Sequence, residues 1–155
     1  MRGMLAVNHK ICTGCKTCTL ACSLSHHQIC NPALSRVHIL KWTAEGLDVP
    51  VVCRQCTKAP CAASCPVGAI HQSQKTGAWL IDPQICIGCR DCLQACPFGA
   101  ISLHPETGEV LKCDLCGGDP QCVRFCEIGA LRYIPGQKAG YDRRREGALK
   151  TAGAL

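Results

Sequence analysis

The chain has 155 residues and only two each of Trp, Tyr and Phe, too few large side chains for a large conventional core. Its formal net charge is +6, but that value counts 17 cysteines as neutral, so a nucleic-acid function cannot be argued from charge alone. No stretch approaches the roughly 18 apolar residues that a membrane span needs, and no apolar export signal precedes the first cysteines, so we expect a cytoplasmic protein without a transmembrane segment.

Sixteen of the cysteines fall into four groups of four, and every group opens with C-x2-C and closes with C-x3-C. The groups are Cys12, Cys15, Cys18 and Cys22; Cys53, Cys56, Cys61 and Cys65; Cys86, Cys89, Cys92 and Cys96; and Cys113, Cys116, Cys122 and Cys126. The third group, followed by Pro97, has the C-x2-C-x2-C-x3-C-P pattern typical of bacterial [4Fe-4S] ferredoxins. The sequence therefore predicts four [4Fe-4S] clusters whose iron is bound by these sixteen cysteines. With thiolates, four clusters add about −8 and bring the protein close to neutrality.

Two other uses of cysteine are less consistent with this spacing. A disulfide framework suits short secreted chains, but triplets of the C-x2-C-x2-C type hold thiols too close together for sensible pairing. Zinc sites use two C-x2-C pairs separated by a longer loop, and they need neither a third nearby cysteine nor a proline after the fourth. Iron–sulfur clusters therefore remain the favoured interpretation.

The first connection, between Cys22 and Cys53, is the longest and reads as an insertion. Asn31-Pro32-Ala33 predicts a turn, and residues 37–42 alternate as a β-strand does. Glu45-Gly46 predicts a hairpin turn before a second strand over residues 49–52.

Three copies of an x-Gly-Ala-apolar sequence follow the second, third and fourth cysteine groups, which indicates an internal repeat. The first two copies predict hairpins, with strands over residues 70–73 and 79–81 and then over 101–104 and 110–112. The part after Pro135 is basic and has little apolar periodicity, so we expect an arm over residues 136–155 that orders on a partner.

The residues alone leave open which cysteine groups share clusters. In two-cluster ferredoxins each motif gives three ligands to one cluster and its fourth to the other. Proline follows the fourth cysteine only in the second and third groups, which favours them as one pair and leaves the first and fourth as an outer pair.

The span from Cys12 to Cys126 resembles the four-cluster iron–sulfur subunits of anaerobic oxidoreductases, including those of formate dehydrogenase and dimethyl sulfoxide reductase. The run CTGCKTCTLACSLSHH, followed by NPALSRVHI, is most similar to the compact members of the tungsten aldehyde oxidoreductase and carbon monoxide dehydrogenase type. The resemblance implies an α+β fold of two pseudo-symmetric bacterial ferredoxin-like units, with short helices and hairpins around four cubane clusters. The four-cluster domain would cover residues 1–135, with an inner unit of about 53–112 and an outer unit formed by 1–52 and 113–135.

The resemblance also implies which cysteines share each cluster, three from one group and the fourth from another. The implied sets are Cys12, Cys15, Cys18 and Cys126; Cys113, Cys116, Cys122 and Cys22; Cys53, Cys56, Cys61 and Cys96; and Cys86, Cys89, Cys92 and Cys65.

Three residues outside the sixteen could bear on this chemistry. Cys30 is expected to be a small packed hydrophobic residue rather than a ligand or a redox thiol. His26 and His27 are expected to lie near a cluster or in solvent, because four cysteines already complete their group. No nucleophile, phosphate-binding loop or carboxylate pair has a recognisable spacing, so we expect no catalytic residues.

We therefore expect a non-catalytic electron-transfer subunit that relays single electrons through four clusters. It would link a larger catalytic oxidoreductase subunit to another redox subunit or acceptor, and the best-matched catalytic subunit is a tungsten or molybdenum aldehyde oxidoreductase. The alternatives are a free polyferredoxin, an iron–sulfur protein linked to carbon monoxide dehydrogenase or hydrogenase, a maturation factor that carries clusters, and a zinc-binding interaction module. The expected partners include a second copy of the chain but not nucleic acid.

Overall fold

The structure is a computed structural model that describes residues 3–134. The expected basic arm over residues 136–155 lies outside the described residues. Among those that are described, no helix is long and apolar enough to cross a bilayer.

Within residues 3–134, eight short strands form four separate two-stranded antiparallel sheets. The strands are β1 (Met4–Val7), β2 (His38–Trp42), β3 (Leu47–Val51), β4 (Ile70–Gln72), β5 (Trp79–Ile81), β6 (Ile101–Leu103), β7 (Val110–Lys112) and β8 (Leu131–Ile134). Three of the sheets are hairpins between consecutive strands, namely β2–β3, β4–β5 and β6–β7. The hairpins expected around residues 70–81 and 101–112 are confirmed, and the hairpin in the first connection is confirmed with strand ends shifted by one or two residues.

The fourth sheet joins the two ends of the described chain. β1 pairs with β8 in antiparallel register, so that Leu5 lies opposite Tyr133 and Val7 opposite Leu131. The third Gly-Ala copy therefore enters a strand, as the first two do, but its partner comes from the beginning of the sequence. The sequence did not predict β1, because a four-residue strand with a remote partner has no local turn signal.

The described part of the chain has four α-helices, and each carries the third cysteine of one group. They are α1 (Thr17–His27), α2 (Pro60–Ala63), α3 (Asp91–Ala95) and α4 (Gln121–Arg124). Only α1 is long enough to include the fourth cysteine of its group, Cys22, one turn after Cys18. Ser23 allows this helix to continue, whereas Pro66 and Pro97 follow the fourth cysteines of the second and third groups and disfavour helical backbone there.

The turn expected at Asn31-Pro32-Ala33 is a short 3₁₀ turn over Pro32–Leu34. The Asn31 side chain accepts a hydrogen bond from the backbone N–H of Ala33 at 3.0 Å and caps this turn. The expected turn is therefore confirmed and has a local cause.

Buried residues form two hydrophobic clusters, and cysteines belong to both. The first includes Leu5, Cys18, Cys22, Val37, Val52, Ala78, Cys113, Leu115, Cys122 and Leu131. The second includes Ala59, Cys61, Ile70, Cys92, Ile101 and Val110. The expected α+β fold of short helices and antiparallel hairpins is confirmed, and cysteines make up much of its interior.

Leu5 tests the contribution of the β1–β8 sheet, because its side chain is fully buried in the first cluster. Leu5→Ala should lower the free energy of unfolding by about 2–5 kcal/mol, since it removes buried methyl groups and leaves a cavity. Anaerobic chemical denaturation of the protein measures this change.

The matched control is Leu40→Ala in β2, where the leucine is 48% exposed. It should change the free energy of unfolding by less than about 1 kcal/mol. Equal losses in the two variants would contradict the role of the β1–β8 sheet.

Candidate iron–sulfur sites

Three cavities in the structure are each lined by four cysteines. The cavity beside α1 has a volume of about 230 Å³, and the other two have about 20 Å³ each. Their cysteines are Cys12, Cys15, Cys18 and Cys126 (thiol set 1); Cys53, Cys56, Cys61 and Cys96 (thiol set 3); and Cys65, Cys86, Cys89 and Cys92 (thiol set 4). Each set combines three cysteines of one sequence group with the fourth cysteine of another.

The remaining four cysteines are also neighbours. Burial raises the pKa of Cys122, and the charges of Cys113, Cys22 and Cys116 raise it further. We call Cys22, Cys113, Cys116 and Cys122 thiol set 2. All sixteen cysteines singled out from the sequence are thus gathered into four sets.

Backbone conformation around the C-x2-C loops is the same in the first and third groups. Gly14 and Lys16 flank Cys15 with φ angles of +63° and +62°, and Gly88 and Arg90 flank Cys89 with +70° and +68°. Left-handed residues in such turns direct backbone N–H groups into a shared concavity that favours anions. Lysine and arginine in this conformation are strained, which is common where a loop is shaped for binding.

The spacing of the thiols is too wide for single metal ions. Four thiolates around one zinc ion, with Zn–S bonds of about 2.3 Å, lie about 4 Å from one another. Among residues 3–134, the only three His, Cys, Asp or Glu side chains whose ligand atoms all lie within 4.8 Å of each other are His26, Asp114 and Cys116. The thiol sets therefore fit clusters in which each cysteine binds a different iron.

Burial also indicates that some of the thiols, including Cys18 and Cys113, need a metal to ionise at neutral pH. Burial raises the pKa of Cys18 to about 11 and that of Cys113 to about 12, and neighbouring thiolates add to both effects. Such thiols are protonated at neutral pH, and binding of iron would displace the protons. The donor set, soft sulfur with four donors per site, is the one that Fe–S clusters use.

A polar network that the sequence did not predict lies beside thiol set 2. Asp114 accepts hydrogen bonds from His26 Nε2 at 3.1 Å and from the backbone N–H of Cys116 at 2.9 Å, and it pairs with Arg36 at 2.9 Å. The second nitrogen of His26, Nδ1, donates to the carbonyl oxygen of Cys22 at 2.9 Å. Because both ring nitrogens of His26 face acceptors, the imidazole is held as a cation.

The charges in this network support one another. The hydrogen bond to Asp114, and then the contact with Cys22, raise the pKa of His26 to about 10. Burial alone would raise the pKa of Asp114, but the hydrogen bond from His26 and the charge of Arg36 together hold it below its usual value. His26 thus lies close to a ligand set without completing it, as expected from the sequence.

Cys22 differs from the other members of thiol set 2. Burial raises its pKa, but His26 and the backbone N–H of Arg36, which lies 3.3 Å from Sγ, lower it more. Hydrogen bonds to sulfur stabilise thiolate charge, and they also tune the potential of a bound cluster. No sequence signal identifies Arg36 or Asp114, because their positions depend on the contact between the first connection and the fourth cysteine group.

Two other expectations concern single residues. Cys30 is exposed, so the expectation that it packs as a buried hydrophobic residue is wrong. It lines an open groove with Leu24 and Phe125 instead. His27 lies edge-on to His104, with ring centroids 5.7 Å apart.

Asp114→Asn tests the network. Asparagine can still accept from the N–H of Cys116, but it loses the charge that pairs with His26 and Arg36. Because Asp114 is partly exposed, we expect the free energy of unfolding to fall by about 1–2 kcal/mol in anaerobic denaturation.

Asp119→Asn is the matched control in the same loop. Asp119 is 74% exposed, and its ion pair with Arg124 is long, at 3.9 Å. It should change stability by less than about 0.5 kcal/mol, and similar losses in both variants would contradict the proposed network.

Comparison with known proteins identifies the family of the chain. Residues 45–135 match the model of the 4Fe-4S dicluster domain family, a span that includes three of the four cysteine groups. The chain is 40% identical over 128 residues to the polyferredoxin-like subunit of aliphatic sulfonate oxidoreductase from Pyrococcus furiosus, covering 81% of this chain and 73% of that protein. It is 34% identical over 166 residues to the electron transport protein HydN of Escherichia coli, covering 89% of this chain and 93% of HydN.

A solved structure shares the fold. A chain of the active-site complex BamBC of benzoyl coenzyme A reductase superposes with a TM-score of 0.53 and 24% sequence identity, covering 96% of this chain and 89% of that one. The expected resemblance is confirmed by the family match and by the named relatives. The chain belongs to the 4Fe-4S dicluster domain family and is an iron–sulfur electron-transfer protein of the type that serves oxidoreductases.

Proposed function

We propose that this chain is a non-catalytic relay subunit that binds four [4Fe-4S] clusters, one in each thiol set. The observation that carries the proposal is the grouping of sixteen cysteines into four sets of four, with sulfurs too widely spaced for single ions. These sets agree with the ligand sets that the family resemblance implies. Each bound cluster would supply one-electron redox chemistry.

The order of the thiol sets supports a relay. The charge of Cys18 in set 1 raises the pKa of Cys122 in set 2. Cys53 in set 3 likewise acts on Cys113 in set 2. Cys61 in set 3 acts on Cys92 in set 4. These interactions between sets link set 1 with set 2, set 2 with set 3 and set 3 with set 4, which supports the order 1, 2, 3 and 4.

The two hydrophobic clusters support a division into two ferredoxin-like units. Apart from Ala78, which belongs to the inner unit, the first contains only residues of the outer unit formed by residues 1–52 and 113–135. The second contains residues between Ala59 and Val110, as expected for the inner unit of about 53–112. We propose these units as the domain organisation of the chain, with residues 136–155 as an added basic arm.

Exposed apolar side chains occur beside both terminal thiol sets. Phe125 and Ile128 line the cavity of set 1 and are 52% and 42% exposed. Ile87 and Val67 line the cavity of set 4 and are 65% and 39% exposed. Apolar surface at the two ends of the row is suited to partners that deliver and accept electrons. A shuttle that diffuses between enzymes needs one such surface only.

The proposed partner is a larger catalytic oxidoreductase subunit that contains tungsten or molybdenum. The resemblance to the subunits of aldehyde oxidoreductases supports it, as does the relative from Pyrococcus furiosus, which is named as a subunit of an oxidoreductase. The chain itself would contribute no catalytic residue, and the names of its relatives as electron transport protein and polyferredoxin-like subunit support this.

Metal content tests the four-cluster proposal. Protein purified without oxygen should contain about sixteen iron and sixteen acid-labile sulfide per chain, since each thiol set would hold four of each. Elemental and sulfide analysis measures both. A reproducible maximum of eight iron, or near-stoichiometric zinc, would contradict it.

The composition of thiol set 1 makes a second prediction. Cys126→Ala should damage the cluster held by Cys12, Cys15 and Cys18, because it removes the fourth ligand. Electron paramagnetic resonance of the reduced variant should lose the same signal as the Cys15→Ala variant. Cys30→Ala is the control and should keep all signals, since Cys30 belongs to no thiol set. If Cys126→Ala instead loses the signal that Cys116→Ala removes, the thiol sets are assigned wrongly.

The partner proposal is tested by native purification under nitrogen. The chain should co-purify with a larger subunit in a constant ratio, and that subunit should contain tungsten or molybdenum. A four-cluster monomer without a partner would instead favour a free polyferredoxin.

A further inference from the structure

Lys112 is a buried cation at the junction of thiol sets 2 and 3. It is 6% exposed, and its Nζ lies 3.6 Å from Cys53 Sγ in set 3 and 3.5 Å from the carbonyl oxygen of Cys113 in set 2. Nζ also donates a hydrogen bond to the carbonyl oxygen of Trp79. Within residues 3–134, no carboxylate lies within 4.0 Å of this amino group.

A buried ammonium group requires compensation by negative charge. The carbonyl oxygens of Trp79 and Cys113 supply only dipoles, so a cluster bound through the sulfur of Cys53 would be the nearest source of a full negative charge. Lys112 also lines the cavity that holds all four cysteines of set 3. The charge of Lys112 opposes the increase that burial causes in the pKa of Cys61. The cation therefore lies at thiol set 3.

The surrounding structure fixes the position of Lys112. It is the last residue of β7, where it pairs with Ile101 of β6. The buried side chain of Gln55 accepts from the backbone N–H of Trp79 and donates to the carbonyl oxygen of Cys113, both at 2.9 Å. Gln55 thus holds the carbonyl group of Cys113 and the backbone of Trp79 in place. The amino group of Lys112 would lose its contacts with the carbonyl oxygens of Trp79 and Cys113 if it moved away from set 3.

We propose that Lys112 raises the reduction potential of the cluster in thiol set 3 and so favours its reduced form in the middle of the row. This inference rests on the proposed function, because it requires a [4Fe-4S] cluster in that set. Reduction adds one electron and one negative charge to the cluster, and the electron comes from the reductant without any bond change at Lys112. A nearby cation stabilises that added charge, and it does so strongly because the site is poorly screened by water. Net charge and hydrogen bonds to sulfur are among the factors that set cluster potentials.

The test compares substitutions at Lys112 in the full-length protein by an anaerobic redox titration followed by electron paramagnetic resonance. Lys112→Met removes the charge and keeps an unbranched side chain. It should shift the one-electron reduction equilibrium of one cluster about tenfold toward the oxidised form, which is about 59 mV for one electron. Lys112→Arg keeps the charge and should stay within about threefold of the original equilibrium. The Cys56→Ser variant identifies the signal of set 3, because it changes a ligand of that set.

Lys75→Met is the matched control. Lys75 lies exposed in the β4–β5 turn, so the same charge is removed from a position screened by solvent. It should leave the one-electron reduction equilibrium of every cluster within about twofold of its original value. If Lys112→Met loses the cluster of set 3, Lys112→Gln replaces it in the test, since glutamine keeps a hydrogen-bond donor without the charge.

Iron content distinguishes a failure of the inference about Lys112 from a failure of the proposed four-cluster function. About sixteen iron in the original protein together with an unchanged set 3 potential in the neutral variants would overturn the role of Lys112 and leave the proposed function intact. A protein without a set 3 signal, and with less than sixteen iron, would overturn the proposed function itself. A tenfold shift confined to set 3, absent in Lys112→Arg and Lys75→Met, is the result that supports the inference.

Discussion

Cys126 lies beside Cys12, Cys15 and Cys18, and the same exchange of a fourth cysteine occurs in every thiol set. This exchange ties together parts of the chain that are far apart in sequence. The strands that could do so by themselves are short, and the four sheets have only two strands each. Isolated two-stranded sheets are marginally stable in water. The fold therefore depends on the cysteine sites, and we expect cluster binding and folding to be coupled.

The dependence extends to the interior. Cysteines occupy positions in both hydrophobic clusters that large apolar side chains fill in proteins of ordinary composition. When the thiols are protonated, burial is tolerated because a neutral thiol behaves as a small apolar group. When they bind iron, the negative charge has to be balanced inside the protein. The backbone N–H groups, His26 and Lys112 are placed where they can provide this balance.

The charged side chains near sulfur are unevenly distributed. His26, Arg36 and Asp114 form a network at thiol set 2, whereas Lys112, at the junction with set 3, has no carboxylate partner among residues 3–134. In the network one carboxylate offsets one of two cations, so a formal charge of +1 is spread over three side chains, whereas at Lys112 the same charge is held on one amino group. Differences of this kind can give chemically identical clusters different potentials, which a relay needs in order to direct electrons.

The sequence by itself determined the cysteine groups, the predicted clusters, the family and the hairpins after the second and third groups, because each rests on residues that are close in sequence. The same local signals could not predict β1, which pairs with the distant β8, or the exposure of Cys30. They left the sharing of cysteines open, and only the family resemblance suggested a solution. The tertiary structure decided the neighbours of each sulfur and the positions of Arg36, Asp114 and Lys112. These depend on contacts between remote segments, where burial and charge act across space and leave no pattern along the chain.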